Sequence, residues 1–515
     1  MAKMMGQARQ ITFSTLIRAH ADANAARAAL IEGDRCLTWA ELERRTNGLA
    51  RVLLTQGVRK GDRIALLLND GAQFIEMMLA AGKIGAISML LNWRLAPAEL
   101  SWIIRDGAPR VIFRAGRFDG LADNADSIVD HVIADEAGGV DRYERWAGEG
   151  DAAVLNTGVS GHDPLFMMFT SGTTGRPKGC LHSHAGAFLS ALSFASRRGF
   201  VREDVNLSTN PLFHVAGLQH VFAAMAVGAA NVFVPRDAAV TAPVELALRH
   251  RCTLATLGVP LMSALKASDE QSIAGLEFRS ITGGAGMTDP QRFAFVREQL
   301  GASLVGGWGQ TEACGFGTQI DWPDMVEHPT AIGWPIPHAE MCILDNEGNP
   351  AADQSVEGEI GFRGPTVMLG YWNNLEATEA ALGTGWLRTG DIAFRDCRGL
   401  FHIKGRLKEL IKTGGENVYP AEVEEVIKTL PAVADAAVAG VKDRRWGEAV
   451  KAFVVLKHGA SLTAEDLTAA CRARIAGYKR PRYLEFLEVI PRDHLGKIQR
   501  VQLAARGATP GQAIP

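Results

Sequence analysis

From the amino terminus to about residue 330, stretches with apolar residues at helical spacing alternate with short apolar runs, and few folds accommodate that order. Leu42 to Gln56 reads as an amphipathic helix, Arg63 to Leu68 as a buried strand and Phe74 to Ile84 as a second helix. Leu165 to Phe169, Asn231 to Pro235, Thr253 to Leu257 and Ser303 to Val305 are further strand candidates. Helices and strands in this order predict βαβ units on largely parallel sheets. The pattern changes from Glu340 to Lys404, where short runs such as Met341 to Leu344, Glu359 to Phe362 and Leu400 to Ile403 are separated by Asp-Asn-Glu-Gly and Asp-Cys-Arg-Gly turns, as in an antiparallel meander. Gly405 to Gly415 is charged and glycine-containing, which suits a boundary. Beyond it, Pro420 opens a helix, two strands span Ala434 to Val441 and Val450 to Leu456, Thr463 with Asp466 caps another helix, and Gly507 to Pro515 reads as a disordered tail. The expected class is α/β. A large amino-terminal domain (1–404) would hold several subdomains with mainly parallel sheets plus a β-rich part, followed by a small α+β carboxy-terminal domain (405–515).

Composition removes several alternatives. With 47% hydrophobic and 22% charged residues the 515-residue chain is globular in character, and no apolar run approaches the ~20 residues of a membrane span. Val221 to Val234, the longest candidate, is broken by Asn231. Met1 to Gln10 is largely polar and does not read as a secretory signal, so a cytoplasmic location is expected. Seven cysteines without a C-x-x-C pair suggest neither a disulfide framework nor a zinc site. A net charge of −3 is too balanced for a chain that coats nucleic acid. The charge is nevertheless uneven, +5 from Gly405 onward and −8 before it, which suits either a polyanionic ligand at the small unit or a solvated face.

The segment richest in chemistry is Met168-Phe-Thr-Ser-Gly-Thr-Thr-Gly-Arg-Pro-Lys-Gly179, after a strand and before an apolar helix pattern. Its hydroxyls, glycines and lysine can wrap backbone N–H groups and an ammonium around a triphosphate. It is not a Walker A loop, because Pro177 stands where the second glycine belongs. Other segments follow in order: Asn92 to Leu95, Pro211-Leu-Phe-His-Val215, Gly306-Gly-Trp-Gly-Gln-Thr-Glu312, Thr389-Gly-Asp391, Gly405-Arg406 through Gly415, and Pro491 to Lys497.

This ordered set resembles the adenylate-forming superfamily of acyl-CoA synthetases, luciferases and peptide-synthetase adenylation domains, over nearly the whole chain. The resemblance is greatest to a fatty-acid or aromatic-acid CoA ligase. It implies a mobile carboxy-terminal lid and activation of a carboxylic acid by Mg-ATP, with CoA as acceptor. By that resemblance Ser171, Gly172, Thr173, Thr174, Gly175 and Lys178 would hold the β- and γ-phosphates, Thr311 the α-phosphate and Glu312 the Mg²⁺. Thr170, Gly284, Ala285 and Gly309 join the nucleotide set, with Trp308 against adenine. Asp391 and Arg406 would bind the ribose, and Lys497 would bridge the incoming carboxylate and the α-phosphate. Lys408 stands at the hinge position. Gly414, Gly415, Glu416 and Asn417 would line the pantetheine tunnel, and Lys479, Arg480 and Arg482 would meet CoA phosphates or form a solvated face. His214 would lie beside the substrate carboxylate or be a satisfied core histidine.

Amino-acid-activating members of the resembled family place an aspartate near the start of the Pro211 to Val215 motif to hold the substrate ammonium; none stands here, so the resemblance implies an acid without an α-amine. Gly283, Gly306 and Gly307, with Cys314 and the apolar candidates Val215, Val259, Met262 and Phe316, suggest room for a medium or long-chain or ring-containing acyl group. The same glycines would also serve close strand packing. No charged side chain stands out as waiting for a second carboxylate. A stand-alone enzyme loading a carrier protein, a luciferase-like oxygenase and a silent adenylate-binding protein are the other readings. A homodimer is the family expectation.

Overall fold

The computed structural model describes residues 11–118, 129–134, 137–148, 153, 155, 157–170, 177–283, 290–414, 416–492, 496–508 and 512–513. Packing divides the chain into two compact units. The first is Met1–Met341 with Gly361–Thr389, and the second is Cys342–Ile360 with Gly390–Pro515.

The first unit carries the predicted parallel architecture. The helix expected at Leu42 to Gln56 is Trp39–Thr55, started by Thr38, whose hydroxyl accepts from the Glu41 N–H while Glu41 reaches back in a capping box. Strand Arg63–Leu67 and helix Ala72–Ile84 follow, the helix stopping at Gly85 in the left-handed conformation. Strand Arg63–Leu67 pairs in parallel with Ile87–Leu90 on one side and Val111–Ala115 on the other. Ile87–Leu90 then pairs in parallel with Pro164–Thr170, which closes the antiparallel hairpin to Lys178–Ser183 and through it to Gly370–Tyr371. A second sheet places Leu254–Thr256 between Val205–Ser208 and Ser280–Thr282, all parallel, with Ser303–Gly306 beyond. It turns antiparallel at Thr318–Asp321.

Between the two helices above, Lys83 is 4% exposed and its Nζ lies 2.6 Å from both Glu43 Oε2 and Asn47 Oδ1. Each buried charge has its partner, which is what makes such charges tolerable. Among the described residues no helix is long and apolar enough to cross a membrane; the run from Val221 is split between helix Val215–Val227 and strand Ala230–Phe233.

The strand Leu387–Arg395 runs into the second unit, where its residues from Asp391 onward pair antiparallel with Phe401–Arg406 as the turn residues predict, with Asp391 opposite Arg406. Helix Pro420–Lys428 has proline in its first turn, and helix Ala464–Arg474 has Thr463 and Asp466 in a reciprocal capping box. Strand Val433–Asp443 pairs with Gly447–Leu456, which pairs in parallel with Tyr483–Phe486. The tail expected to be disordered is partly docked. Gln512–Ala513 adds to the edge of Tyr483–Phe486, and the Gly507 carbonyl accepts from Lys451 Nζ at 2.8 Å. Exposed edge N–H and C=O groups drive that pairing, a tertiary event that local composition does not encode.

Candidate active site

At the base of the expected phosphate loop, Thr170 and Lys178 face each other in the ladder. Ser171, Gly172, Thr173, Thr174 and Gly175 lie outside the described residues, as do Gly284, Ala285 and Gly415. The Lys178 ammonium sits 4.8 Å from the ring centroid of Tyr371.

Tyr371 joins that lysine to the next predicted element. Its hydroxyl donates to Glu312 Oε1 at 2.8 Å. Glu312 is half-buried in the single turn Thr311–Ala313, and among the described residues its Oε2 has no partner. The turn itself is held from several sides. Met368 N donates to the Glu312 carbonyl at 2.8 Å, and His182, kept neutral by burial that pushes it down to about 3, hydrogen-bonds the Thr311 backbone. Ser190 Oγ donates to the Cys314 carbonyl at 2.6 Å, Gln219 Nε2 donates to Ser190 Oγ at 2.6 Å, and Gln219 Oε1 accepts from Phe316 N at 2.9 Å. Cys314 takes the left-handed conformation at φ 60°, a strained state for a non-glycine residue that this web of bonds maintains.

The glycines here serve packing. A Cβ on Gly307 would collide with the Thr318 carbonyl and one on Gly309 with the Gly315 carbonyl, so neighbouring backbone requires both to be bare. Of the two expectations for Gly307, room for substrate and close strand packing, this contact fits the second. Gly283 is likewise buried, its N–H on the Val305 carbonyl at 2.9 Å. Trp308, expected against adenine, is 2% exposed with its ring 5.9 Å from Phe362; the structure gives that ring to the core.

Of the predicted acyl-pocket residues, Val215 and Cys314 line one small cavity with Phe166, Ser190, Leu218 and Gln219, among others. Phe316 is half-buried beside it. Met262 packs at the border of a separate core cluster, and Val259 is 65% exposed at the start of helix Val259–Ala267, so Val259 is no pocket wall. His214 caps helix Val215–Val227, its Nδ1 accepting from Ala216 N at 3.3 Å, which leaves the ring proton on Nε2.

In the second unit Asp391 is 1% exposed, and its Oδ1 lies 2.6 Å from Arg406 Nε, so this predicted pair is brought together. Lys408 is exposed in the turn Leu407–Glu409. Lys497 Nζ stands 3.8 Å from Glu409 Oε1 with 61% of its side chain exposed. Gly414 N donates to the Trp446 carbonyl at 2.9 Å, and Glu416 opens strand Glu416–Val418. The basic cluster is not a row of uncommitted charges. Lys479 Nζ is 2.5 Å from Glu422 Oε1, while the Arg482 guanidinium lies 5.3 Å from the Trp446 ring, which Arg445 approaches to 4.7 Å from its own position. Arg480 is half-buried.

The AMP-binding enzyme model matches residues 17–372, and the AMP-binding enzyme C-terminal domain model matches residues 422–497. The chain belongs to the AMP-binding enzyme family. The indoleacetate–CoA ligase of Aromatoleum aromaticum is 34% identical over 503 residues, covering 96% of this chain and 98% of the relative. A long-chain-fatty-acid–CoA ligase of Mycobacterium tuberculosis is 33% identical over 91% of this chain and 92% of its own length. The o-succinylbenzoate CoA synthetase of Bacillus subtilis, solved with its acyl-adenylate intermediate, superposes with a TM-score of 0.82 at 29% identity, over 96% of this chain and 99% of that one.

Within this AMP-binding enzyme, sequence reading missed Tyr371, His182, Ser190 and Gln219, all of which hold the Thr311–Ala313 turn. Only Tyr371 carried a signal, as an aromatic in the Gly370-Tyr371 pair, and nothing in the chain order tied it to Glu312 59 residues earlier. Asp70 was missed as well. Its Oδ1 accepts from Leu212 N at 2.6 Å and pins the Pro211 to Val215 motif. Burial pushes the Asp70 carboxyl up to about 6, against the pull of the Leu212 N–H, Arg94 and Arg236. Between about pH 4 and pH 6 the folded state therefore binds this proton more than the unfolded chain, so stability falls as pH rises through that window. Asp70→Asn keeps an acceptor for Leu212 and removes the charge. Thermal melts are expected to show the variant more stable at pH 7.5, by about 1–3 kcal/mol, with the gap narrowing by pH 4.5. A gap of equal size at both pH values contradicts this account.

Proposed function

We propose that Lys178, Thr311, Glu312, Asp391, Arg406 and Lys497 serve one adenylation site, with a medium or long-chain or ring-containing carboxylic acid as substrate. The chain is an ATP-dependent, AMP-forming acid:CoA ligase that proceeds through an acyl-adenylate to acyl-CoA, AMP and pyrophosphate. The observation that carries the site is the Glu312 carboxylate, one oxygen held by Tyr371 under the Lys178 ammonium and the other without a hydrogen bond among the described residues.

A carboxylate is a weak nucleophile, so the acid oxygen attacks the α-phosphorus of ATP only where the phosphate charge is offset. In our reading Lys178 and the loop from Thr170 to Gly175 hold the β- and γ-phosphates, and the Thr311 hydroxyl holds the α-phosphate. Asp391 accepts from the ribose hydroxyls with Arg406 beside it. His214 donates from Nε2 to the acid. Lys497 supplies positive charge between the acid and the α-phosphate, where negative charge concentrates during transfer. Glu312 suits Mg²⁺, a hard cation that takes one or two carboxylates with phosphate oxygens and waters; when bound it neutralises phosphate charge.

CoA is the second substrate. Lys408 would be the hinge, while Gly414, Gly415 and Glu416 line the pantetheine path. Trp446, flanked by Arg445 and Arg482, joins Lys479 and Arg480 as the surface for the CoA nucleotide, since an aromatic face beside guanidinium groups suits a base with phosphates. Cytoplasmic location and homodimeric assembly belong to the same reading. The test is acid-dependent pyrophosphate release across short, medium, long, aromatic and polycyclic acids, with and without CoA. CoA-dependent turnover concentrated in the longer or ring-bearing acids is the expected result. Release without CoA consumption would assign another acceptor.

A further inference from the structure

Arg198, at the carboxy-terminal cap of helix His184–Arg197, is 5% exposed. Its Nη1 donates to Gln319 Oε1 at 3.2 Å, but its Nε and Nη2 are buried with no hydrogen-bond partner. Those two nitrogens share one edge of the guanidinium plane. Their parallel N–H groups match the two oxygens of a carboxylate.

Nothing described around them supplies that carboxylate. The guanidinium carbon lies 3.7 Å from the Phe194 ring centroid and 5.3 Å from that of Phe316, contacts that recover only part of the cost of burying a charge. His220, in edge contact with Phe194, is kept neutral, pushed down to about 3 by burial and by Arg198 itself. Asp321 attracts the guanidinium, yet it forms no ion pair with it among the described residues and accepts from Gln319 Nε2 at 3.2 Å. Burial accordingly pushes Arg198 down to about 9.

Phe316 links Arg198 to a small cavity that Arg198 itself does not line. Cys314 lines the cavity, whose volume is about 10 Å³, room for about one water. Two residues on, Phe316 touches cavity-lining Gln219 through its N–H and stands against Phe194 and Arg198 through its ring. Ser190, also on the cavity, precedes Arg198 by eight residues, about 12 Å along a helix. We propose that Arg198 is a second-carboxylate subsite: the ligase takes an acid bearing a carboxylate at the end remote from the one it activates, and that remote group pairs with Nε and Nη2 after the Phe316 ring turns aside. The proposal rests on the acid:CoA ligase reading and narrows its substrate class to dicarboxylic acids.

The experiment compares pyrophosphate release with matched pairs, an α,ω-dicarboxylic acid and the monocarboxylic acid of equal chain length, across a length series. Wild type is expected to favour the diacid in kcat/KM by on the order of 10²-fold at the fitting length, the scale of a desolvated charge pair. Arg198→Met is expected to reverse that preference and Arg198→Lys, which keeps the charge and loses the fork, to fall between them. Wild-type turnover of monoacids without any diacid preference overturns the subsite and leaves the ligase reading intact, as does an Arg198→Met enzyme with the preference unchanged. No turnover of any acid overturns the ligase reading itself. Should Arg198→Met fail to fold, calorimetry on wild type with two acyl-sulfamoyladenosines, one carrying a terminal carboxylate, decides the matter: tighter binding of the carboxylate form supports the subsite and equal affinity removes it.

Discussion

Lys497→Ala is expected to lose adenylation by about 10²–10³-fold while thioester formation from supplied acyl-adenylate stays largely intact. In the proposed site the loss would follow from removing the cation that stands where the acid oxygen and the α-phosphate approach each other. The structure makes the experiment clean. Lys497 is 61% exposed in its side chain, and its ion pair with Glu409 at 3.8 Å is a solvated contact of the kind that adds little to stability. The variant therefore folds, and a change in rate reads chemistry. ATP–pyrophosphate exchange measures the first half-reaction, and CoA consumption from synthetic acyl-adenylate measures the second. Equal losses in both would refute the separate assignment of Lys497 to adenylation.

Glu312→Gln is the second large effect. Glutamine keeps an acceptor for the Tyr371 hydroxyl, so the turn Thr311–Ala313 keeps that bond while the anionic oxygen Oε2 is lost. Adenylation is expected to fall by on the order of 10²–10³-fold, the scale of removing one preorganised electrostatic stabiliser. The magnesium concentration for half-maximal rate is expected to rise with it. Calorimetry of ATP binding without metal gives the second readout, in which the variant should match or exceed wild type, since a negative charge near the phosphates is gone. Weaker metal-free binding together with an unaltered magnesium dependence would show that Glu312 supports the nucleotide by structure alone.

Much of the fold was legible because period and punctuation are local. Arg63–Leu67, Ala72–Ile84 and Pro164–Thr170 appear within a few residues of their expected bounds, as their apolar runs and the Gly85 stop require. Asp391 and Arg406, both expected at the ribose by resemblance, stand opposite each other in a short hairpin, a pairing the sequence reading did not name. Less of the site was legible. Val259 followed an apolar pattern into solvent, and Gly307, whose missing side chain looked like room, is tight against backbone. The sequence reading found no charge waiting for a second carboxylate; Arg198 is indistinguishable from a surface arginine until the helix carrying it is packed against Thr318–Asp321.

By itself, then, the amino-acid order determined the α/β class, through apolar period and turn residues, a loop suited to phosphates, through its hydroxyls, glycines and lysine, and an ordered set of motifs whose resemblance to a family implied acid activation. Tertiary structure alone decided which groups support them. Tyr371 meets Glu312, Ser190 meets Cys314 and Asp70 meets Leu212 across 59, 124 and 142 residues of chain, and contacts of that range exist only once sheets and helices have closed the loops between them.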